Sequence, residues 1–224
     1  MRNSSSADAE VRKNWGDAHL VPGPMNGPVG QGLAEVLLRV VEAQPDVKTV
    51  CDLGSGTGYL SARLGALGYR VTGIDASDRL LAVANEHFAS DRVTFQRGII
   101  GEDALEALAP SGGFDLVVSS DVVEHLFHPK SLVESAFSIT KPGGCLVLGT
   151  PYHGYLKNLA IAVLGKWDSH HGVHWDGGHI KFFSVGTLRE LVHSAGYTVE
   201  RFEYYGRMPW LWKNMICVAR KPGG

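Results

Sequence analysis

Short apolar runs and amphipathic stretches alternate along most of the chain. KTVCDL, YRVTGID, RVTFQ, FDLVVSS, GCLVLGT and MICVAR are rich in β-branched and other apolar residues and have strand length. Between them, LAEVLLRVVEAQ from Leu33 onward and residues 57–67, 78–89 (DRLLAVANEHFA), 130–139 and 185–195 (VGTLRELVHSA) carry apolar residues at helical spacing. This alternation predicts an α/β fold in which a parallel sheet is covered by helices on both faces through right-handed crossovers. No internal repeat interrupts it. Residues 1–14 are Ser-rich, charged and aperiodic, and 21–31 (VPGPMNGPVGQ) reads as a Pro/Gly loop. The expected organisation is a flexible N-terminal segment over 1–31, with Trp15 as a lid element, followed by a single domain over 32–224. Within that domain 151–183 breaks the alternation: it is long, aromatic and His-rich, and its first half, YLKNLAIAVLG, has an amphipathic helical pattern. A long insertion at the carboxyl edge of a sheet is usually a lid or a binding loop, so the substrate is expected here.

Composition narrows the function classes. The chain has 224 residues, 44% hydrophobic and 20% charged, enough for one sizeable core. Lys and Arg total 21 against 23 Asp and Glu, a formal charge of −2, so no broad basic field favours nucleic acid or an anionic membrane. No apolar run approaches the roughly 18 residues of a membrane span, and MRNSSSADAE lacks the apolar stretch of a secretory leader. A soluble, cytoplasmic protein is expected, with no nucleic-acid partner and no stable membrane insertion. Cys51, Cys145 and Cys217 each sit in an apolar run and read as buried small hydrophobes. Histidine is the unusual count at 10, six of them between His125 and His174.

Residues 49–58, TVCDLGSGTG, take a buried strand straight into Gly54-Ser55-Gly56-Thr57-Gly58 and then a helix. Glycines there let the backbone turn tightly and approach a ligand where a side chain would not fit. Asp75 ends the next strand about 20 residues on, where a carboxylate accepts both hydroxyls of a ribose. The pair points to an adenosine-type ligand at the strand ends. Tyr59 stands where a dinucleotide fingerprint would have its third glycine, and no Lys-Ser/Thr pair follows as in a P-loop, so the better match is a ligand without phosphates.

At these residues the sequence resembles the class I S-adenosylmethionine-dependent methyltransferases. VCDLGSGTGYLS (50–61), GIDAS (73–77), FDLVVSSDVVEHLFHP (114–129) and KPGGCLVLGTP (141–151) match in order and spacing, and the resemblance covers roughly residues 45–220. It implies a Rossmann-like, seven-stranded, mostly parallel sheet with an antiparallel last strand, closed by 197–205 and 214–220. It also implies S-adenosyl-L-methionine as cofactor. Asp52, Gly54, Gly56 and Gly58 would border its methionine part and Asp75 its ribose, Ser55 and Ala76 would be further cofactor contacts, and Ser120 and Asp121 would face it from the fourth strand. Many relatives carry an acidic residue after the third strand for the adenine; here the sequence is Gly98-Ile99-Ile100.

Within the family, DVVEH, the long segment after TP and GHIKFFSVGTL look most like the ubiquinone-biosynthesis O-methyltransferases. Carry-over from these nominates Asp121, Glu124 and His125 for a divalent metal such as Mg2+, which lowers the pKa of a hydroxyl substrate; local capping by Glu124 and His125 is the plain alternative. Methyl transfer from a sulfonium is an in-line displacement, so the protein aligns donor and acceptor and removes a proton from a hydroxyl acceptor. His125, His179 and His153 are the candidate bases, with lid hydrogen bonding as the alternative role. His153, His170, His171, His174 and His179 also have a spacing that permits a metal. Tyr152, Tyr155, Trp167, Trp175, Phe182 and Phe183 are expected to give the insertion a flat, apolar lining, suited to a partly apolar or aromatic acceptor. Met208-Pro209-Trp210 and Trp212 would form a second wall or a dimer contact. The expected function is O-methylation of a small hydroxylated metabolite by a monomer or homodimer, with peripheral membrane contact through YLKNLAIAVLGKW. The alternatives are N-methylation of a small molecule and cofactor binding without turnover.

Overall fold

The computed structural model describes residues 20–24, 27–171 and 178–223. The expectations placed on residues 1–14, Trp15, His174 and Trp175 lie outside the described residues.

Helix α1 (Pro28–Glu42) begins inside the stretch expected to be loop. Pro28 occupies the first helical turn, where its missing N–H costs nothing, and Gly27 takes φ +56° to turn the chain into it. There follow β1 (Thr49–Leu53), α2 (Tyr59–Ala66), β2 (Arg70–Asp75), α3 (Asp78–Phe88), β3 (Val93–Arg97) and β4 (Phe114–Ser120). The chain continues through α4 (Pro129–Ile139), β5 (Thr140–Pro151), α5 (Tyr155–Val163), α6 (Trp167–His171), α7 (Val185–Ser194), β6 (Thr198–Tyr205) and β7 (Asn214–Arg220). The pattern found the long helices and the buried strands, whereas the short α6 and the 3-10 turns Asp103–Leu108 and Val123–His125 carry too few residues for a periodic signal.

The seven strands form one sheet in the order β3-β2-β1-β4-β5-β7-β6. β1 to β5 pair in parallel, and β7 runs antiparallel between β5 and β6, as the resemblance implies. Successive residues of the central strands face opposite sides. Val147 lies in the same buried layer as Leu37 and Val41 of α1, Leu64 of α2 and Ala84 of α3, while Leu146 and Leu148 lie in the opposite layer with Leu132 and Ala136 of α4 and Leu188 of α7. Two apolar layers, each burying side chains worth about 1.5–3 kcal/mol apiece, therefore clamp the sheet. Cys51, Cys145 and Cys217 are buried within them as free thiols, their pKa values pushed up by burial.

Strand order reverses at β1, which has β2 on one side and β4 on the other. Helices leave such a point toward opposite faces, so a crevice opens beyond the carboxyl ends of β1 and β4. Among the described residues no helix is long and apolar enough to cross a membrane.

Candidate functional site

The loop after β1 is pinned to the end of β2. Gly54 and Ser55 both donate their N–H to the Ile74 carbonyl, at 2.8 and 3.0 Å. Gly54 has φ +84°, and a Cβ there would lie 2.5 Å from a Val122 methyl, so only glycine lets the loop pass this closely under β4. Asp75 accepts the Gly56 N–H on one carboxylate oxygen and the Ser77 N–H on the other, both at 2.9 Å. These bonds fix the carboxylate at the crevice edge, and a carboxylate carries about four acceptor positions. Asp52 is buried and accepts the Ser61 hydroxyl at 2.6 Å; burial raises its pKa to about 6, with the Ser61 bond opposing. The Ser55 hydroxyl is buried without a hydrogen-bond partner among the described residues.

A cavity of about 660 Å3 opens here, and the predicted residues Asp52, Gly54, Ser55, Gly56, Asp75, Ser120 and Asp121 line it. Gly58 and Ala76 do not; Gly58 instead caps α2 with its Cα against the Phe95 ring.

The same cavity continues past β4. Asp121 turns the chain with φ +53°, donates its N–H to the Gly149 carbonyl and accepts the Asn214 amide at 2.9 Å. Glu124 is only 1% exposed; its Oε2 accepts the Thr150 hydroxyl at 2.9 Å. Burial drives both carboxyls upward, Asp121 to about 6, and the Asp121 charge pushes Glu124 further in the same direction. Glu124 Oε1 is buried without a hydrogen-bond partner among the described residues. The Glu124 carbonyl accepts the N–H groups of Ile180 and Lys181, each at 3.0 Å. That clasp brings two predicted bases together across the chain: the His125 and His179 rings lie edge to face with centroids 4.9 Å apart. Burial, then the His125 neighbour, lowers the His179 pKa to about 4, so its imidazole is neutral at pH 7. Ligand atoms of Glu124, His125 and His179 all fall within 4.8 Å of one another; Asp121, expected in that set, lies outside it.

The far wall departs from the aromatic lining expected. Tyr152 is buried in the core, edge-on to Tyr204 and Trp212, and Phe183 joins the same layer. Tyr155 and Trp167 are 79% and 52% exposed. None of these, nor Phe182, lines the cavity, because the chain after β5 turns its rings into the core or outward to solvent. Histidines and cations stand there instead: His153, His170, His171, Lys157, Arg207 and Lys213. His153, the third predicted base, is buried among the rings of His170, His171 and Phe182, and burial lowers its pKa to about 3. Lys157, Arg207, Lys213 and Asn214 carry no motif signal. They reach the cavity only because α5 and the turn between β6 and β7 fold over it.

Comparison with known proteins agrees with this geometry. A family model described as a methyltransferase domain matches residues 26–201. A ubiquinone biosynthesis O-methyltransferase of Paraburkholderia xenovorans is 37% identical over 118 residues, 53% of this chain and 50% of the relative. One of Burkholderia thailandensis is 31% identical over 156 residues, 69% of this chain and 56% of the relative. The chain thus spans about half the length of the relatives it matches. Among solved structures, magnesium protoporphyrin IX methyltransferase of Synechocystis with bound S-adenosylhomocysteine superposes with TM-score 0.69 at 17% identity, covering 98% of this chain and 100% of that one. Phosphoethanolamine N-methyltransferase 2 of Haemonchus contortus gives TM-score 0.68 at 17% identity, covering 99% of this chain and 60% of that one. At such identity these two speak for the fold.

Proposed function

The chain belongs to the S-adenosylmethionine-dependent methyltransferase family, and from that membership we propose that it transfers a methyl group to a hydroxyl oxygen of a small, partly apolar or aromatic metabolite. The observation that carries this reading is the continuity of one cavity from the Gly54–Gly58 loop and Asp75 to the paired imidazoles of His125 and His179.

S-adenosylmethionine, when bound, supplies the methyl group from its sulfonium. The residues present fit it: Asp75 is oriented for a ribose, Gly56 leaves open space at the loop, and the partnerless Ser55 hydroxyl lies beside the cavity. Val122, Leu126 and Pro151 supply apolar walls against the acceptor and exclude water. His179, neutral at pH 7 and edge-on to His125, accepts the hydroxyl proton; His125 orients it or takes the proton itself. His153, buried and with its Nδ1 3.4 Å from the Asn158 side-chain oxygen, serves the lid. The segment 151–183 acts as the substrate lid. The exposed Leu156, Leu159 and Val163 of α5 support peripheral contact with an apolar surface.

One observation favours a second reading of the same imidazoles: among the described residues Glu124 Oε1 is buried beside them without a hydrogen-bond donor. Glu124, His125 and His179 would hold a divalent ion there and lower the pKa of the acceptor hydroxyl. Two imidazoles with one carboxylate suit Mn2+ or Zn2+ better than Mg2+, which prefers oxygen ligands.

The test is calorimetric titration with S-adenosylhomocysteine, followed by a screen of hydroxylated acceptors. Asp75→Ala is expected to weaken S-adenosylhomocysteine at least about tenfold, about 1.4 kcal/mol. His179→Ala is expected to lower kcat by about 100-fold with cofactor affinity retained. An unchanged kcat points to N-methylation, which needs little base catalysis. Loss of activity on chelation, restored by Mn2+, supports the metal reading.

A further inference from the structure

The methyl donor's half of the cavity lies over β1 and β2, where the glycine loop and Asp75 sit. Lys157 and Arg207 stand at the other end, on the segments that follow β5 and β6, two or more strands away and on the order of 10 Å across the sheet. Lys157 is unusual for a lysine in being only 3% exposed. Its ammonium is held by carbonyls, that of Tyr152 at 2.7 Å and that of Lys213 at 3.5 Å. Among the described residues no carboxylate forms an ion pair with Lys157, Arg207 or Lys213, although seven ion pairs occur elsewhere in the described chain. Asp121, which lines the cavity beyond β4, is engaged by the Asn214 amide, and the buried Glu124 near it by the Thr150 hydroxyl.

Arg207 is set by strained backbone. It follows Gly206 at φ +79° and itself takes φ +58°, a left-handed conformation that a residue with a Cβ rarely adopts. Such strain persists where the surroundings fix it, commonly at a binding clamp. His170 and His171 complete this end, with ring centroids 5.0 Å apart, and the buried Nε2 of His171 has no hydrogen-bond partner among the described residues. Burial, then Lys157, holds both imidazoles toward the neutral form, and burial, then Arg207, lowers the Lys157 pKa to about 8. The groups repel one another, and among the described residues no carboxylate pairs with the three cations.

We infer that Lys157 and Arg207, with Lys213, His170 and His171 beside them, form a subsite for an anionic group, a carboxylate or a phosphate, carried by the methyl acceptor. The inference rests on the methyltransferase reading and narrows its acceptor to an acid. An anion there supplies the charge that the buried Lys157 ammonium needs, and the Arg207 guanidinium fork and that ammonium each offer charge-assisted hydrogen bonds. The acceptor is thereby gripped at its acidic end while its hydroxyl is presented toward His179 and the donor.

The test titrates protein saturated with S-adenosylhomocysteine against benzoate and phenyl phosphate, with benzamide and benzyl alcohol as neutral counterparts. At least one anion is expected to bind at least about tenfold more tightly than either neutral compound, without displacing S-adenosylhomocysteine; which anion wins separates carboxylate from phosphate acceptors. Lys157→Met and the more exposed Arg207→Gln are each expected to remove that preference while S-adenosylhomocysteine affinity stays at the wild-type value, and Arg207→Lys to restore part of it. Equal binding of anions and neutral compounds, no binding of either, displacement of S-adenosylhomocysteine by the anion, or an unchanged preference in Arg207→Gln overturns the inference. Wild type that fails to bind S-adenosylhomocysteine overturns the methyltransferase reading instead.

Discussion

Asp115 shows how much one side chain fastens at the edge opposite the cavity. Its Oδ2 accepts the N–H groups of Lys48 and Thr49 and the Thr49 hydroxyl at 2.8–2.9 Å, and its Oδ1 accepts Lys141 Nζ at 2.6 Å. One carboxylate thus ties the starts of β1, β4 and β5. Burial raises its pKa, but Lys141 and the three donors outweigh that and hold it well below the usual aspartate range. A depressed folded-state pKa adds stability that is present above the unfolded value, about 3.9, and lost as pH falls through the folded one. Asp115→Asn is therefore expected to cost about 2 kcal/mol at pH 7, with the difference from wild type shrinking in acid; parallel urea titrations at several pH values check it. At this scale legibility was uneven. Asp52, Asp75 and Asp121 were readable because a strand end fixes where the next residue points. Lys157 and Arg207 were not, since tertiary packing alone makes them neighbours. Tyr152 misled because an aromatic beside a site and an aromatic in the core look alike in sequence.

Among elements, the junction of β1 with α2 is closely constrained. Gly58 caps α2 at φ +87°, and a Cβ there would lie 2.6 Å from the Phe95 ring of β3 and 3.0 Å from the Ala84 methyl of α3. Gly58→Ala adds left-handed strain of about 1–2 kcal/mol to overpacking of about 1–3 kcal/mol. It should lower the urea midpoint with the denaturant slope unchanged. Strands were legible because those buried on both faces are continuous apolar runs, as in Leu146-Val147-Leu148. The start of α1 was not: Pro28 in VPGPMNGPVGQ reads as loop until its place in the first turn is known.

For the molecule as a whole, the crevice is assembled from loops that follow β1, β2, β4, β5 and β6, so a bound ligand bridges elements far apart in sequence. Binding to the folded state alone stabilises it by mass action. At about one hundred times its Kd, S-adenosylhomocysteine is expected to add about 2.7 kcal/mol, raising Tm by about 5–10 °C for a domain of this size. Differential scanning calorimetry checks it, and Asp75→Ala at the same concentration should show a smaller rise. The seven-stranded sheet with its antiparallel last strand is what the family resemblance implies, but the wall of histidines and cations was not legible, because it belongs to no single motif.

The place of β7 between β5 and β6 also has a consequence for biosynthesis. A ribosome delivers the chain from its N-terminus, so β1 to β5 emerge while the slot beside β5 stands open and β6 has nothing to pair with. The nascent chain can form the crevice beyond β1 and β4 early, yet Asn214, the partner of Asp121, arrives only with β7. Until then the open edge of β5 is a pairing surface for any passing strand, and the sheet closes only when β7 threads between two strands that are already made.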